Sequence, residues 1–150
     1  ETLQKSPVLD TIRESVTSRV LSELKKRAEK DMADYATFWE NFGGVLKEGL
    51  CESMAPRDKI LECCAFYTRS SPKKLMTLAE YKANMREGQE AIYYLTGDSI
   101  AALKSSPQLE GFTKRGIDVL LLTDHVDDFW TMFLKRYLDH TNIRVTARSH

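Results

Sequence analysis

The fold class of this chain is decided by residues 91–123, which read AIYYLTGDSIAALKSSPQLEGFTKRGIDVLLLT. The first six, Ala91–Thr96, are β-branched and aromatic and stop at a glycine, which predicts a strand. The last seven, Ile117–Thr123, form a nearly continuous apolar run, typical of a strand buried on both faces. Helical segments lie between them, and a connection of this length predicts parallel pairing through a right-handed crossover. The C-terminal half is therefore expected to be a small α/β unit.

Short signals predict where the helices of this half begin and end. A Thr-x-x-Glu capping box at residues 77–80 opens one helix, and Ser99 and Ser106-Pro107 provide further helix starts. Gly116 stops the helix before the second strand, and a final helix is expected over residues 126–138. A turn at residues 69–72 separates this half from what precedes it.

The first seventy residues are predicted to be helical. A helix from Pro7 to about Lys30 carries apolar residues at helical spacing, namely Val8, Ile12, Val16, Val20 and Leu24. A second helix places aromatic and apolar residues on one face, namely Tyr35, Phe38, Trp39, Phe42 and Leu46. A third helix, from about Pro56, is expected to turn its apolar residues inward, namely Ile60, Leu61, Cys64 and Ala65.

Composition excludes several classes of protein. The 150 residues are 42% hydrophobic and 29% charged, which rules out a disordered tail and a collagen-like rod. The 22 basic residues balance the 22 acidic ones, whereas binders of nucleic acid or membrane surfaces need a basic excess. No apolar run reaches the roughly 20 residues of a bilayer-spanning helix. We therefore expect no nucleic-acid partner and no membrane partner.

The cysteines and the first residue add two further expectations. Three cysteines, two of them adjacent at Cys63 and Cys64, make a poor disulfide framework and favour a reducing environment, so we expect a cytoplasmic location. They lack the spacing of a zinc site, so we expect no bound metal. The chain opens at Glu1 without a signal peptide, which suggests a piece of a longer protein.

Two groups of residues are candidates for function. Asp124, His125, Asp127 and Asp128 crowd the end of the second strand, where a histidine among carboxylates suits acid–base or metal chemistry. Carboxylates at a helix start also complement the helix dipole, and no nucleophile accompanies them, so a structural role is favoured. The alternative is a stand-alone α/β enzyme using this carboxylate/His site. Gly97-Asp98-Ser99 is interpreted as a turn and helix cap because it lacks a phosphate-loop pattern.

The second group is aromatic and lies on the final helix. Phe129, Trp130, Met132 and Phe133 cover more than one helix face, so some of them are expected to remain exposed as a partner surface. An ordinary core plus a domain seam is the equally weighted alternative. A third hypothesis is an adaptor that docks a partner through Tyr35, Phe38 and Trp39, and it requires that face to be exposed.

Several motifs resemble the Hsp90 chaperone family. Residues 37–49, TFWENFGGVLKEG, resemble that family's F-[YW]-x-x-F-x-x-x-L-K-x-G segment. Residues 81–97, YKANMREGQEAIYYLTG, resemble its Y-x-x-x-M-K-E-x-Q-x-x-I-Y-Y-I-T-G signature. The resemblance continues in order to about residue 130 and is closest to the bacterial, high-temperature protein G type. Residues 139–150 depart from the pattern and are left unassigned.

The resemblance implies a domain organisation and a function. Hsp90 proteins are dimeric, ATP-dependent chaperones, and this chain resembles the later part of their middle domain. Residues 1–70 would be a helical connector, and residues 71–138 a small three-layer α/β/α subdomain with a short, mainly parallel sheet. Partners would be partly folded client proteins, the N-terminal ATPase domain and a second copy joined through a C-terminal domain. Phe129, Trp130, Met132 and Phe133 would contact clients.

The resemblance also assigns a part in ATP turnover. Residues 1–4, ETLQ, resemble the end of the family's catalytic loop, so Gln4 would reach toward the γ-phosphate in the parent protein. The loop's arginine would immediately precede Glu1. The parent would use ATP and Mg²⁺, and the 150 residues alone are expected to bind neither and to be inactive as an ATPase.

Overall fold

The computed structural model describes residues 7–51, 56–89, 91–131 and 144–147. The helices are α1 (Pro7–Lys30), α2 (Met32–Gly49), α3 (Arg57–Cys63), α4 (Leu78–Ala83), α5 (Ile100–Lys104) and α6 (Pro107–Arg115). The strands are β1 (Ala65–Thr68), β2 (Met76–Thr77), β3 (Ala91–Thr96), β4 (Val119–Leu122) and β5 (Arg144–Ala147). Residues 127–131 form a further helical turn. The chain is therefore a mixed α/β structure, with α1–α3 preceding the sheet.

The predicted helix caps are confirmed. Thr77 and Glu80 form a reciprocal capping box at the start of α4, and Ser99 and Ser106 accept hydrogen bonds from the first turns of α5 and α6. Gly116 ends α6 with a φ of 69°, a left-handed conformation that only glycine adopts without strain. Local residue choices are thus sufficient to start and stop these short helices.

The sheet contains both parallel and antiparallel pairs in the order β2-β1-β4-β3-β5. The predicted parallel pairing is confirmed, because β3 and β4 pair in parallel from Tyr93–Val119 to Thr96–Leu122. β5 extends the parallel part beside β3 and lies in the segment left unassigned by sequence analysis. β1 pairs antiparallel with both β2 and β4, so the sheet is parallel on one side and antiparallel on the other.

The helical prediction was wrong at residues 65–68. The third helix ends at Cys63, Cys64 is extended, and Ala65–Thr68 forms β1 in the interior of the sheet. Phe66, Tyr67 and Thr68 favour strands, and pairing on both edges satisfies their backbone groups. The short segment therefore follows its tertiary partners rather than the preceding helix.

Two apolar clusters lie on opposite faces of the sheet. Leu120 and Leu122 of β4 pack with the residues of α1–α3, whereas Val119 and Leu121 pack with α5 and α6. This alternation confirms that β4 is buried on both faces. Helices on both faces of the sheet give the expected three layers.

The apolar stripe of α1 faces outward rather than into the core. Val8, Ile12, Val16 and Val20 are 51–67% exposed, while Leu21 and Ala28 are buried. The buried positions belong to the face that meets α3, where the Cys63 thiol donates a hydrogen bond to the Leu21 carbonyl. The stripe is exposed because none of the described residues covers it.

Candidate functional site

An ionic cluster of the buried Lys47 and Asp127 with the half-exposed Asp124 joins α2 to the turn that follows β4. Lys47 is only 5% exposed, although it lies near the end of an amphipathic helix. Its Nζ lies 2.7 Å from Oδ2 of Asp124 and 2.9 Å from Oδ1 of Asp127. It shares a helix face with the buried Tyr35, Trp39 and Gly43, because residues four apart stack along a helix. The apolar face of α2 thus ends in a cation that binds two carboxylates.

Asp127 is the centre of this cluster. It is fully buried, and its Oδ1 accepts hydrogen bonds from Lys47 Nζ and from Trp130 Nε1, the latter at 2.6 Å. Its Oδ2 accepts a hydrogen bond from the Asp124 backbone amide at 2.8 Å. A buried carboxylate is tolerated when it is paired with a cation and hydrogen-bonded, and Asp127 meets both conditions.

The electrostatics of Lys47 follow from two opposing effects. Burial disfavours its charged form, but the carboxylates of Asp127 and Asp124 outweigh burial and raise its pKa above the ordinary 10.5. Lys47 therefore carries its charge throughout the neutral range. Its Nζ also lies 5.8 Å from the centroid of the Trp39 ring, within range of a cation–π contact.

The structure argues against a stand-alone enzyme that uses the carboxylate/His site. Asp124 and Asp127 are bound to Lys47 and do not form a free acid–base pair. His125 and Asp128 are exposed and line a shallow groove of about 250 Å³ with Gly97, Asp98 and Thr123. Within residues 7–51, 56–89, 91–131 and 144–147, no three His, Cys, Asp or Glu side chains converge as metal ligands. The structural interpretation of this group is therefore favoured.

The same groove does not suit a nucleotide. The carboxylates of Asp98, Asp124 and Asp128 line it, and they would repel a triphosphate. We therefore assign no step of ATP hydrolysis to the described residues. Gln4, the predicted catalytic-loop residue, lies outside the described part of the chain.

The cysteines are free thiols, and burial makes two of them unreactive. Cys63 and Cys64 are both fully buried. Burial raises the pKa of Cys63 to about 11 and also raises the pKa of Cys64 above its ordinary value. Thiolates, which are the reactive form, are therefore scarce at neutral pH.

The aromatic group on the final helix divides into one exposed and one buried residue. Phe129 is 62% exposed, whereas Trp130 is fully buried and stacks on Phe66 with ring centroids 5.7 Å apart. Trp130 is therefore corrected from a contact residue to a core residue, because its indole is held by Asp127 and Phe66. Met132 and Phe133 lie outside the described residues.

Sequence reasoning missed Lys47 as the partner of Asp124 and Asp127. Asp124 and Asp127 lie 77 and 80 positions after Lys47, so no local sequence pattern connects them to it. The available signal was that Lys47 continues the aromatic face of α2, four residues after Gly43. A lysine on a buried face needs an acidic partner, and this would have predicted a buried carboxylate nearby. The adaptor hypothesis is excluded, because Tyr35 is buried and Trp39 is only 8% exposed.

A larger groove adjoins the cluster between α2 and the sheet. It has a volume of about 480 Å³ and is lined on one side by Trp39, Val45 and Lys47. Leu121 and Asp124 line the opposite side, at the carboxyl end of β4.

None of the described helices is both long and apolar enough to span a bilayer.

Comparison with known proteins gives consistent results. The family model described as Hsp90 protein matches residues 1–149, and this match includes the segment that sequence analysis left unassigned. The chain is 55% identical over 139 residues to the chaperone protein HtpG of Ehrlichia canis, covering 91% of this chain and 22% of that protein. It is 53% identical over 147 residues to HtpG of Orientia tsutsugamushi, covering 98% and 23% respectively.

The structural comparison agrees with the sequence comparison. The middle domain of a Plasmodium falciparum heat shock protein superposes with a TM-score of 0.82 at 27% identity, covering 93% of this chain and 57% of that one. The chain spans less than a quarter of the length of the two HtpG proteins. It therefore belongs to the Hsp90 family of chaperones and has the fold of an Hsp90 middle domain.

Proposed function

We propose that this chain is the part of an Hsp90 chaperone's middle domain that contacts partly folded client proteins through the surface around Phe129. The observation that carries the proposal is the exposure of this phenylalanine on a turn whose first residue, the buried Asp127, is paired with the buried Lys47. A large aromatic side chain held in solvent by a rigid support is typical of an interaction site.

The physical basis is the surface that unfolded proteins expose. A partly folded chain presents apolar side chains that a native protein buries. Contact between these side chains and an exposed aromatic ring removes apolar surface from water and so favours binding. Met132 and Phe133 remain candidates for the same surface. Trp130 is removed from the contact set and becomes the residue that supports Phe129 from the core side.

We further propose that the longer protein is an ATPase whose middle domain assists hydrolysis by the N-terminal domain. The family membership and the resemblance of residues 1–4 to the catalytic loop support this part of the proposal. Gln4 would act toward the γ-phosphate, with ATP and Mg²⁺ bound elsewhere in the protein. Dimerisation through a C-terminal domain and a cytoplasmic location belong to the same proposal, and the free thiols fit a reducing compartment.

Titration of the isotope-labelled 150-residue chain tests client binding. Reduced, carboxymethylated α-lactalbumin serves as a permanently unfolded client, and native α-lactalbumin serves as the control. We expect amide shifts around Phe129 with the unfolded protein alone, and about tenfold weaker binding for Phe129→Ser.

The matched control is Phe42→Ser, which removes another exposed phenylalanine from α2. We expect this variant to bind the unfolded client as the wild type does. Equal losses in both variants would indicate nonspecific apolar adhesion, and no loss in Phe129→Ser would refute the proposed surface.

A further inference from the structure

We propose that Lys47 is a positioning residue for Phe129, so that the packing of helix α2 determines how the client-contact side chain is presented. The inference rests on the proposed function for its biological meaning. Its structural part, that Lys47 sets the orientation of the turn at residues 127–131, stands on separate contacts and has a separate readout.

The first step is the tie between α2 and the turn. Lys47 Nζ donates hydrogen bonds to Oδ1 of Asp127, the first residue of the helical turn, and to Oδ2 of Asp124, which lies two residues after the end of β4. One ammonium group thus holds both the first residue of the turn and the segment that leads into it. Both contacts are within 3 Å, and the Lys47 side chain is shielded from water.

The second step fixes the rotation of the turn. Oδ1 of Asp127, the atom that binds Lys47, also accepts the indole hydrogen of Trp130, and the indole stacks on Phe66. The Thr131 hydroxyl donates a hydrogen bond to the Asp127 carbonyl at 2.7 Å and closes the turn. The inward direction of Trp130 is therefore set by the same carboxylate that Lys47 holds.

The third step links Trp130 to Phe129. Adjacent residues on a helix point about 100° apart, so a turn that directs Trp130 into the core directs Phe129 away from it. Releasing Asp127 from Lys47 removes the cation that holds the shared carboxylate. The turn then gains freedom to rotate, and Phe129 loses its fixed place on the surface.

Fluorescence of Trp130 tests the structural part. The chain contains two tryptophans, so Trp39→Phe leaves Trp130 as the single indole. In that background we expect Lys47→Met to shift the Trp130 emission to longer wavelength and to raise its quenching by acrylamide severalfold under conditions where the chain is folded. We also expect about tenfold weaker binding of reduced, carboxymethylated α-lactalbumin.

The control separates positioning from loss of stability. Leu21→Ala removes a buried side chain from the contact between α1 and α3 and leaves the ionic contacts of Lys47, Asp124 and Asp127 intact. We expect it to lower stability while leaving Trp130 quenching and client binding unchanged. If it altered both as Lys47→Met does, the effect would be general loosening and the proposal would be wrong.

Further outcomes also decide the proposal. If Lys47→Met does not fold, the double variant Lys47→Met/Asp127→Asn removes the unpaired buried charge and is expected to fold with the same increase in quenching. Unchanged quenching in either folded variant overturns the positioning role, and increased quenching with undiminished client binding overturns the link to Phe129. Loss of client binding by Lys47→Met is compared with that of Phe129→Ser. If Phe129→Ser binds the client normally, the proposed function is wrong. The quenching of Trp130 then still decides whether Lys47 sets the orientation of the turn.

Discussion

Helices α1 and α2 are the two longest in the described structure and use their apolar faces in opposite ways. In α2, the face carrying Tyr35 and Trp39 packs on the sheet and ends at Lys47. In α1, the stripe from Val8 to Val20 faces outward, and a narrower face containing Leu21 contacts α3. Both helices have apolar residues at helical spacing, so the pattern predicts a helix in each case but not which face is covered.

The difference lies in the contacts that each helix makes over long distances in sequence. α2 has directional bonds to distant segments: the Tyr35 hydroxyl donates to the Cys63 carbonyl at 2.7 Å, and Lys47 reaches residues about 80 positions later. α1 is held mainly at its C-terminal half, including a half-exposed ion pair between Lys25 and Glu62. Buried polar contacts thus accompany the well-packed face and fix its orientation.

The largest expected effect comes from breaking the anchor of α2. Lys47→Met leaves the fully buried Asp127 without its cation, and we expect the free energy of unfolding at neutral pH to fall by about 3–5 kcal/mol. Urea denaturation measures this change. Lys25→Met removes the partly exposed ion pair of α1 and is the matched control, for which we expect little change.

The pH dependence of the Lys47→Met effect provides a second measurement. The pKa of Lys47 lies above the ordinary 10.5 in the folded state, so its contribution is complete below pH 10.5 and is lost as pH rises through the raised value. The stability difference between wild type and Lys47→Met should therefore be constant near neutral pH and should shrink in strong base. A difference that disappears below pH 9 would contradict this assignment.

A pair of substitutions within α1 compares its two faces directly. Leu21→Ala opens a cavity in the core and is expected to cost about 2–5 kcal/mol, measured by urea denaturation. Val16→Ser changes the exposed stripe and is expected to alter stability by about 0.5 kcal/mol or less. Equal costs would mean that the stripe is covered in the folded chain, contrary to the structure.

The smallest expected effect compares two neighbouring glycines of α2. A Cβ on Gly43 would lie 2.7 Å from Trp39 Cε2, so we expect Gly43→Ala to destabilise the chain by about 1–3 kcal/mol. Nothing lies within 4 Å of a Cβ on Gly44, and Gly44→Ala should stabilise the helix by about 0.5–1 kcal/mol. Thermal unfolding distinguishes the two, and stabilisation by both would show that Trp39 packs less closely on Gly43.

Some of the fold was predictable because its causes are local. The Thr77 capping box, the serine caps and Gly116 act within a few residues. An unbroken apolar run is likewise enough to predict β4. β1 was not predictable in the same way, because four residues after a helix carry too little pattern. Its identity as a strand depends on hydrogen bonds to β2 and β4.

The candidate site was predictable only in part. The aromatic group at residues 129–133 and the carboxylates before it were found as candidates, but their roles were not separable from sequence. Trp130 and Phe129 are adjacent, and only the position of Asp127 and Phe66 decides which ring is buried. The acidic group was open to a catalytic interpretation until Lys47 was found to bind two of its members.

The sequence by itself determined the caps of the short helices α4, α5 and α6, the parallel strand pair and, through its motifs, the resemblance to the Hsp90 family. These properties depend on residue spacing, capping and composition over short windows. Only the tertiary structure decided which face of α1 is covered, that residues 65–68 form a strand, and that Lys47, Asp124 and Asp127 form one cluster. The reason is physical: burial and ion pairing depend on distances in space, and residues 80 positions apart leave no common local pattern.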